Sequence, residues 1–133
     1  MNTSPPKTVR LDLDVPAEAR VGSVVPITLR VRNLGDQPID LYLRGRTITF
    51  DIIVRRDSGE VVWRRLENAI IPAILRIETL PPHGILELRA DWSLETTTGA
   101  PVTPGTYAVQ GVLLTEDAEL STIPVSLRVS GGG

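Results

Sequence analysis

The side chains of this 133-residue chain that are able to do chemistry are few: one histidine, no cysteine and scattered carboxylates. His83 stands between Pro82 and Gly84. A nucleophilic triad needs that imidazole beside an activated serine, and no Gly-x-Ser-x-Gly elbow presents one. His83 therefore reads as an exposed loop residue. Asp12 and Asp14 fall on one side of an extended segment, and Glu116-Asp117-Ala118-Glu119 is an acidic loop. Calcium accepts such carboxylates, but there is no Asp-x-Asp-x-Asp-Gly loop, so both read as solvated acidic turns. A carboxylate pair for glycoside chemistry would meet only in the fold and stays open. Without cysteine there are no disulfides, thiolate nucleophiles or Cys-based zinc sites. There is no phosphate-cradling glycine loop of the Walker or dinucleotide type. The expectation is a protein that is not an enzyme, with no catalytic residue, metal or cofactor.

Binding features are stronger. Residues 69–77 read Ala-Ile-Ile-Pro-Ala-Ile-Leu-Arg-Ile, an apolar run around Pro72 with little alternation. Such a run usually packs as a buried strand. The other reading is an exposed apolar ridge, pre-shaped by Pro72 for a partner. Trp63 and Trp92 divide likewise between core and interface. Six arginines (Arg44, Arg46, Arg55, Arg56, Arg64 and Arg65) crowd the middle of the chain. They read as a solvated outer face that discourages edge pairing. A nucleic-acid surface would need stacking aromatics, and these make up only 4% of the chain.

The elements that carry these residues follow a period of two. Val9, Leu11, Leu13 and Val15 alternate with Arg10, Asp12 and Asp14; Ile27, Leu29 and Val31 alternate with Thr28 and Arg30. The same rhythm runs through Ile48 to Val54, Leu86 to Trp92 and Ile123 to Val129. Alternation means one buried face and one wet face. Turn signals divide the runs, among them Asp57-Ser58-Gly59-Glu60, a hairpin in which Gly59 is free to take positive φ. No 3.6-residue period with caps appears, and Pro72 interrupts the one helix-like stretch, Leu66 to Ile77. Seven to nine short strands predict an all-β, immunoglobulin-like antiparallel sandwich, with a closed barrel as the other architecture.

Pro104-Gly105-Thr106-Tyr107-Ala108-Val109 sharpens that prediction. In immunoglobulin-type sandwiches a tyrosine at such a corner bonds its hydroxyl to the upstream backbone. Two residues later antibody domains hold a cysteine; here Val109 stands in its place. The expectation is a sandwich closed by aliphatic contacts without a staple.

The organisation expected is a flexible lead-in over 1–7, one sandwich domain over 8–129 and a flexible glycine tail over 130–133. The first residues lack the apolar core of a signal peptide, and no apolar run is long enough to span a bilayer. With the missing cysteines this points to the cytoplasm, with no membrane and no nucleic acid as partner.

Several of these residues, taken in order, are similar to one known family. Asp57-Ser58-Gly59-Glu60-Val61-Val62-Trp63-Arg64 resembles the Asp-x-x-Gly-x-x-Val-Trp-Arg element of the intracellular proteinase inhibitor family of bacilli, the BsuPI domain. Val31-Arg32-Asn33 followed by Pro38-Ile39-Asp40-Leu41 resembles its Val-x-Asn … Pro-Val-x-Leu element, and Gly45 with Phe50-Asp51 matches in part its Ser-Gly-x-x-Tyr-Asp stretch. Leu80-Pro81-Pro82-His83-Gly84, Trp92 and Val102-Thr103-Pro104-Gly105-Thr106-Tyr107 fall where the family has its Leu-x-Pro-Gly-Glu, its lone Trp and its Val-x-Pro-Gly-x-Tyr. Phe50, His83 and Ile85 depart from the family's Tyr, Pro and Glu. The resemblance spans residues 24–115. It implies an immunoglobulin-like sandwich and binding to a cytoplasmic subtilisin-type serine protease.

A protease-binding loop would lie extended in the cleft like a substrate strand. The sequence offers Ile70, Ile71, Pro72 and Ala73 as partner-binding residues, with Thr96 to Thr103 as the second loop. Gly59, Trp63, Trp92, Pro104, Gly105 and Tyr107 are expected to be structural. The alternative is a non-inhibitory interaction or accessory module, either monomeric or paired as a dimer through an edge strand such as Val9 to Val15 or Ile123 to Val129. A carbohydrate- or calcium-binding sandwich ranks behind both.

Overall fold

The computed structural model describes residues 9–45, 50–67, 74–116 and 119–131. Among them there are eleven strands and no helix. In chain order the strands are β1 (Val9–Asp14), β2 (Glu18–Arg20), β3 (Val25–Asn33), β4 (Ile39–Arg44), β5 (Phe50–Arg56), β6 (Val61–Arg64), β7 (Leu75–Leu80), β8 (Ile85–Trp92), β9 (Gly105–Leu114), β10 (Glu119–Ser121) and β11 (Val125–Ser130). Within the described residues the alternating runs fall on β1, β3, β5, β8 and β11. The count exceeds seven to nine in part because β2 and β10 are too short to show a period and β7 carries its charges on the inward face.

Two sheets face each other, as expected of an immunoglobulin-like sandwich. One has the order β1-β3-β8, the other β2-β11-β9-β5-β6 with β10 beside β9. Their pairings are antiparallel except for β2 with β11. Both sheets have open ends rather than closing into a barrel. β4 and β7 form a separate two-stranded ribbon. The ribbon joins the larger sheet where Leu43 bridges Thr115 and Glu116 donates its N–H to the Tyr42 carbonyl at 2.8 Å.

Strand periodicity builds the core directly. Val25, Ile27, Leu29 and Val31 of β3 are fully buried and face Ile52 and Val54 of β5, Val109 and Leu113 of β9, and Leu127 of β11. Each such aliphatic side chain taken from water contributes about 1.5–3 kcal/mol. Gly111 lets the sheets approach: a Cβ there would sit 3.1 Å from methyls of both Leu13 and Leu29. At one end of the core the aromatics form a chain. Trp63 stacks on Trp92 at 5.9 Å, and Trp92 meets Tyr107 edge-on at 6.1 Å. The Trp92 indole N–H is satisfied by the Glu95 carbonyl.

The tyrosine corner is present. The Tyr107 hydroxyl donates to the Thr103 carbonyl at 2.5 Å across Pro104 and Gly105, and Val109 is fully buried where a staple would sit. At the other end of the core, the buried Asn33 amide donates to the carbonyls of Gln37, Leu80 and Pro81 while its oxygen accepts from Gly35 N–H. One side chain thus joins the turns after β3 and β7.

Edge exposure agrees in part with the sequence reading. In β11 the side away from β9 is covered by β2 at Arg128 to Ser130, and among the described residues Val125 to Leu127 have no strand partner there. Val9 to Val15 does supply an edge strand, β1.

Candidate functional site

The side chains with catalytic potential are dispersed or already engaged. His83 is exposed in the turn before β8, with Nε2 3.0 Å from Asp36 Oδ1. Asp12 takes Arg10 and Arg32 at 3.0 and 2.8 Å, and Asp14 takes Arg30 at 3.4 Å, so both carboxylates face arginine. Among the described residues no three His, Cys, Asp or Glu side chains gather closely enough to hold a metal.

The arginines read as a solvated face are exposed at Arg44, Arg64 and Arg65 and partly so at Arg55 and Arg56, and each also has a fixed partner. Arg44 donates to the Glu116 carbonyl, and Arg55 donates to Gln110. Arg56 reaches Thr103 and Tyr107 and pairs with Glu60 at 3.4 Å. Arg46 lies outside the described residues.

Arg64 and Arg65 build the most organised polar feature of the molecule. Asp51 lies on the outer face of β5, yet its side chain is only 2% exposed. Its Oδ2 accepts Nε and Nη2 of Arg64 at 3.1 and 2.8 Å, and its Oδ1 accepts the Leu66 N–H at 3.0 Å. Arg65 crosses to the neighbouring residue: its Nη1 donates to the Phe50 carbonyl at 2.6 Å while its guanidinium lies 3.9 Å from the Phe50 ring centre. Burial pushes the Arg65 guanidinium below its ordinary pKa, and the Asp51 charge pulls it back up. Asp51, Arg64 and Leu66, with Arg44, Ile53, Val112 and Leu114, line a shallow depression of about 230 Å³.

This clamp holds the start of the segment that the sequence singled out. The end of that segment is held separately, by Gly45 N–H donating to the Ile74 carbonyl at 2.8 Å and by β7 pairing with β4. Ile70, Ile71, Pro72 and Ala73 themselves lie outside the described residues. The described end of the apolar run corrects the buried reading: Ile74, Leu75 and Ile77 are exposed. Leu75 and Ile77 lie on β7, which among the described residues pairs only with β4.

The second candidate loop is curled rather than extended. Thr96 N–H bonds the Ala100 carbonyl, Gly99 N–H bonds the Thr96 carbonyl, and Thr97 N–H bonds Val62. Glu95 and Pro101 bridge beneath it. The remaining sequence candidates sit in the frame. Gly59 turns the β5–β6 hairpin at φ 92°, Trp63 and Trp92 stack, and Pro104 and Gly105 shape the corner closed by Tyr107. Sequence reasoning met Asp51 only within the Phe50-Asp51 resemblance and missed its clamp, although an acid inside Phe50-Asp51-Ile52-Ile53, thirteen residues before paired arginines, was the available signal.

A family model described as intracellular proteinase inhibitor, BsuPI, matches residues 11–118. The chain belongs to that family. The match takes in both tryptophans, the tyrosine corner, the Asp51 clamp and the segment it holds. No curated protein matches the chain in sequence. Among solved structures, the sporulation control protein Spo0M from Bacillus subtilis is 15% identical, covering 92% of this chain and 49% of its own, with a TM-score of 0.58. The C-terminal domain of Wzt is 8% identical over 92% of this chain and 74% of its own, with a TM-score of 0.56. A β-glucosidase from Listeria innocua is 11% identical, with a TM-score of 0.49, and this chain spans 16% of its length. At these identities the likeness to Spo0M and to the Wzt domain concerns the fold. Immunoglobulin-like sandwiches serve many ends, so the family membership, not the structural neighbours, bears on function.

Proposed function

We propose that this BsuPI-family chain is a non-enzymatic inhibitor of a subtilisin-type serine protease in the cytoplasm, and that it acts through the segment between Leu66 and Ile74. The family match over residues 11–118 carries the reading. The local chemistry supports it. Subtilisin-like clefts take an extended backbone and apolar side chains, and Ile70, Ile71, Pro72 and Ala73 offer them. A loop whose two ends are already held loses less entropy on binding. The Asp51 clamp at Leu66 and the Gly45 bond at Ile74 supply that restraint. The 95–101 loop is the weaker contact because its backbone groups are spent on one another.

The test is an inhibition assay of the purified chain against intracellular subtilisins. The expected result is loss of protease turnover in the presence of the chain, relieved in the double variant I70D/I71D. Inhibition that persists in the double variant would move the contact elsewhere. No inhibition of any subtilisin would end the reading.

A further inference from the structure

β7 is a two-faced edge strand. Toward one face it projects Leu75, Ile77 and Thr79, which lie opposite Arg44, Tyr42 and Asp40 of β4. Ile77 is 57% exposed, Leu75 51% and Tyr42 43%. Toward the other face it projects Arg76 and Glu78, joined to each other at 3.2 Å. β4 occupies one edge of the strand, and among the described residues no strand pairs with the other. An unpaired edge with an apolar face is a template for another strand.

We propose that this edge pairs with β7 of a second copy, antiparallel about a two-fold axis at Ile77. The register argues for that occupant. Centring on Ile77 sets Ile77 against its own copy, Leu75 against Thr79, and Arg76 against Glu78 twice over. Centring on Arg76 or Glu78 would place like charges directly opposite, which is destabilising. An isologous contact of this kind closes at the dimer. It joins the two ribbons into one four-stranded sheet, in which Tyr42, Ile77 and their symmetry mates form a continuous apolar stripe. β1 is one competing edge, but its Val9, Leu11 and Leu13 already pack against the core, and its Asp12 is already paired with two arginines. It has no free apolar face to bury.

Sedimentation of the full chain over a concentration series, with reciprocal charge variants, tests the proposal. The wild type is expected to pass from monomer to dimer. R76E and E78R each put like charges across the axis and are expected to weaken self-association roughly tenfold or more. An equimolar mixture of the two restores complementarity and is expected to form a heterodimer, which misfolded variants would not do. A wild type that stays monomeric throughout overturns the proposal. So does a dimer indifferent to both substitutions, which would assign the contact to β1 or another surface. Neither result depends on protease inhibition, which is read separately.

Discussion

Arg64 and Asp51 are locked together on the outer face of the larger sheet, with two guanidinium nitrogens of Arg64 on a single carboxylate oxygen at 2.8 and 3.1 Å. The second oxygen is thereby left for the Leu66 N–H. The charge pair and the backbone restraint are one device, and the same aspartate serves both.

Asp51→Asn keeps the shape and removes the charge. An amide has only one acceptor oxygen, so either Arg64 or Leu66 loses its bond. The expected cost is about 2–3 kcal/mol in urea unfolding, since hydrogen bonds to charged groups exceed neutral ones and the site is buried. Faster hydrogen exchange at the Leu66 amide is expected alongside it. Unchanged exchange there would mean that Asp51 does not restrain the segment.

Tyr107→Phe leaves the aromatic packing against Trp92 in place and deletes the donor to Thr103. The expected loss is about 1 kcal/mol or somewhat more, because the Thr103 carbonyl and Arg56 lose their shared partner. Chemical denaturation with an unchanged m-value would attribute the loss to stability alone.

Gly111→Val drives two methyls into the space held by Leu13 and Leu29. Overpacking of this kind is expected to cost about 1–3 kcal/mol. Pairing it with Leu13→Ala makes room for the added methyls, so the double variant is expected to lose less than the sum of the single ones. Strict additivity would show that the sheets separate rather than repack.

His83→Gly addresses backbone strain. His83 holds φ 60°, a left-handed conformation that costs a side-chain-bearing residue about 1–2 kcal/mol. Its bond to Asp36 is exposed and offsets little of that. A rise in melting temperature is expected for the glycine variant, and a fall would show that the Asp36 contact outweighs the strain.

The sandwich was legible because β3, β8 and β11 each wet one face and bury the other, and the tyrosine corner is a local motif with local geometry. β7 was not legible. Its inward positions begin at buried Leu80 and run out to Glu78 and Arg76, so the apolar side chains face solvent and the charges take the other face. Composition alone made the run look buried. The Asp51 clamp was hidden for another reason: its partners come from the next strand, and a hairpin register with a shift at Val54 and Arg55 decides which arginine arrives. Alternation predicts that Asp51 faces outward, but not that Arg64 covers it.

Strand β11 threads between β9 and β2, so a segment from near the start of the described chain is held only by one from near its finish. During synthesis the flank of β9 from Gly105 to Val109 has no partner until β11 has been made. A chaperone that shields a bare β edge would find it there, along Gly105 to Val109.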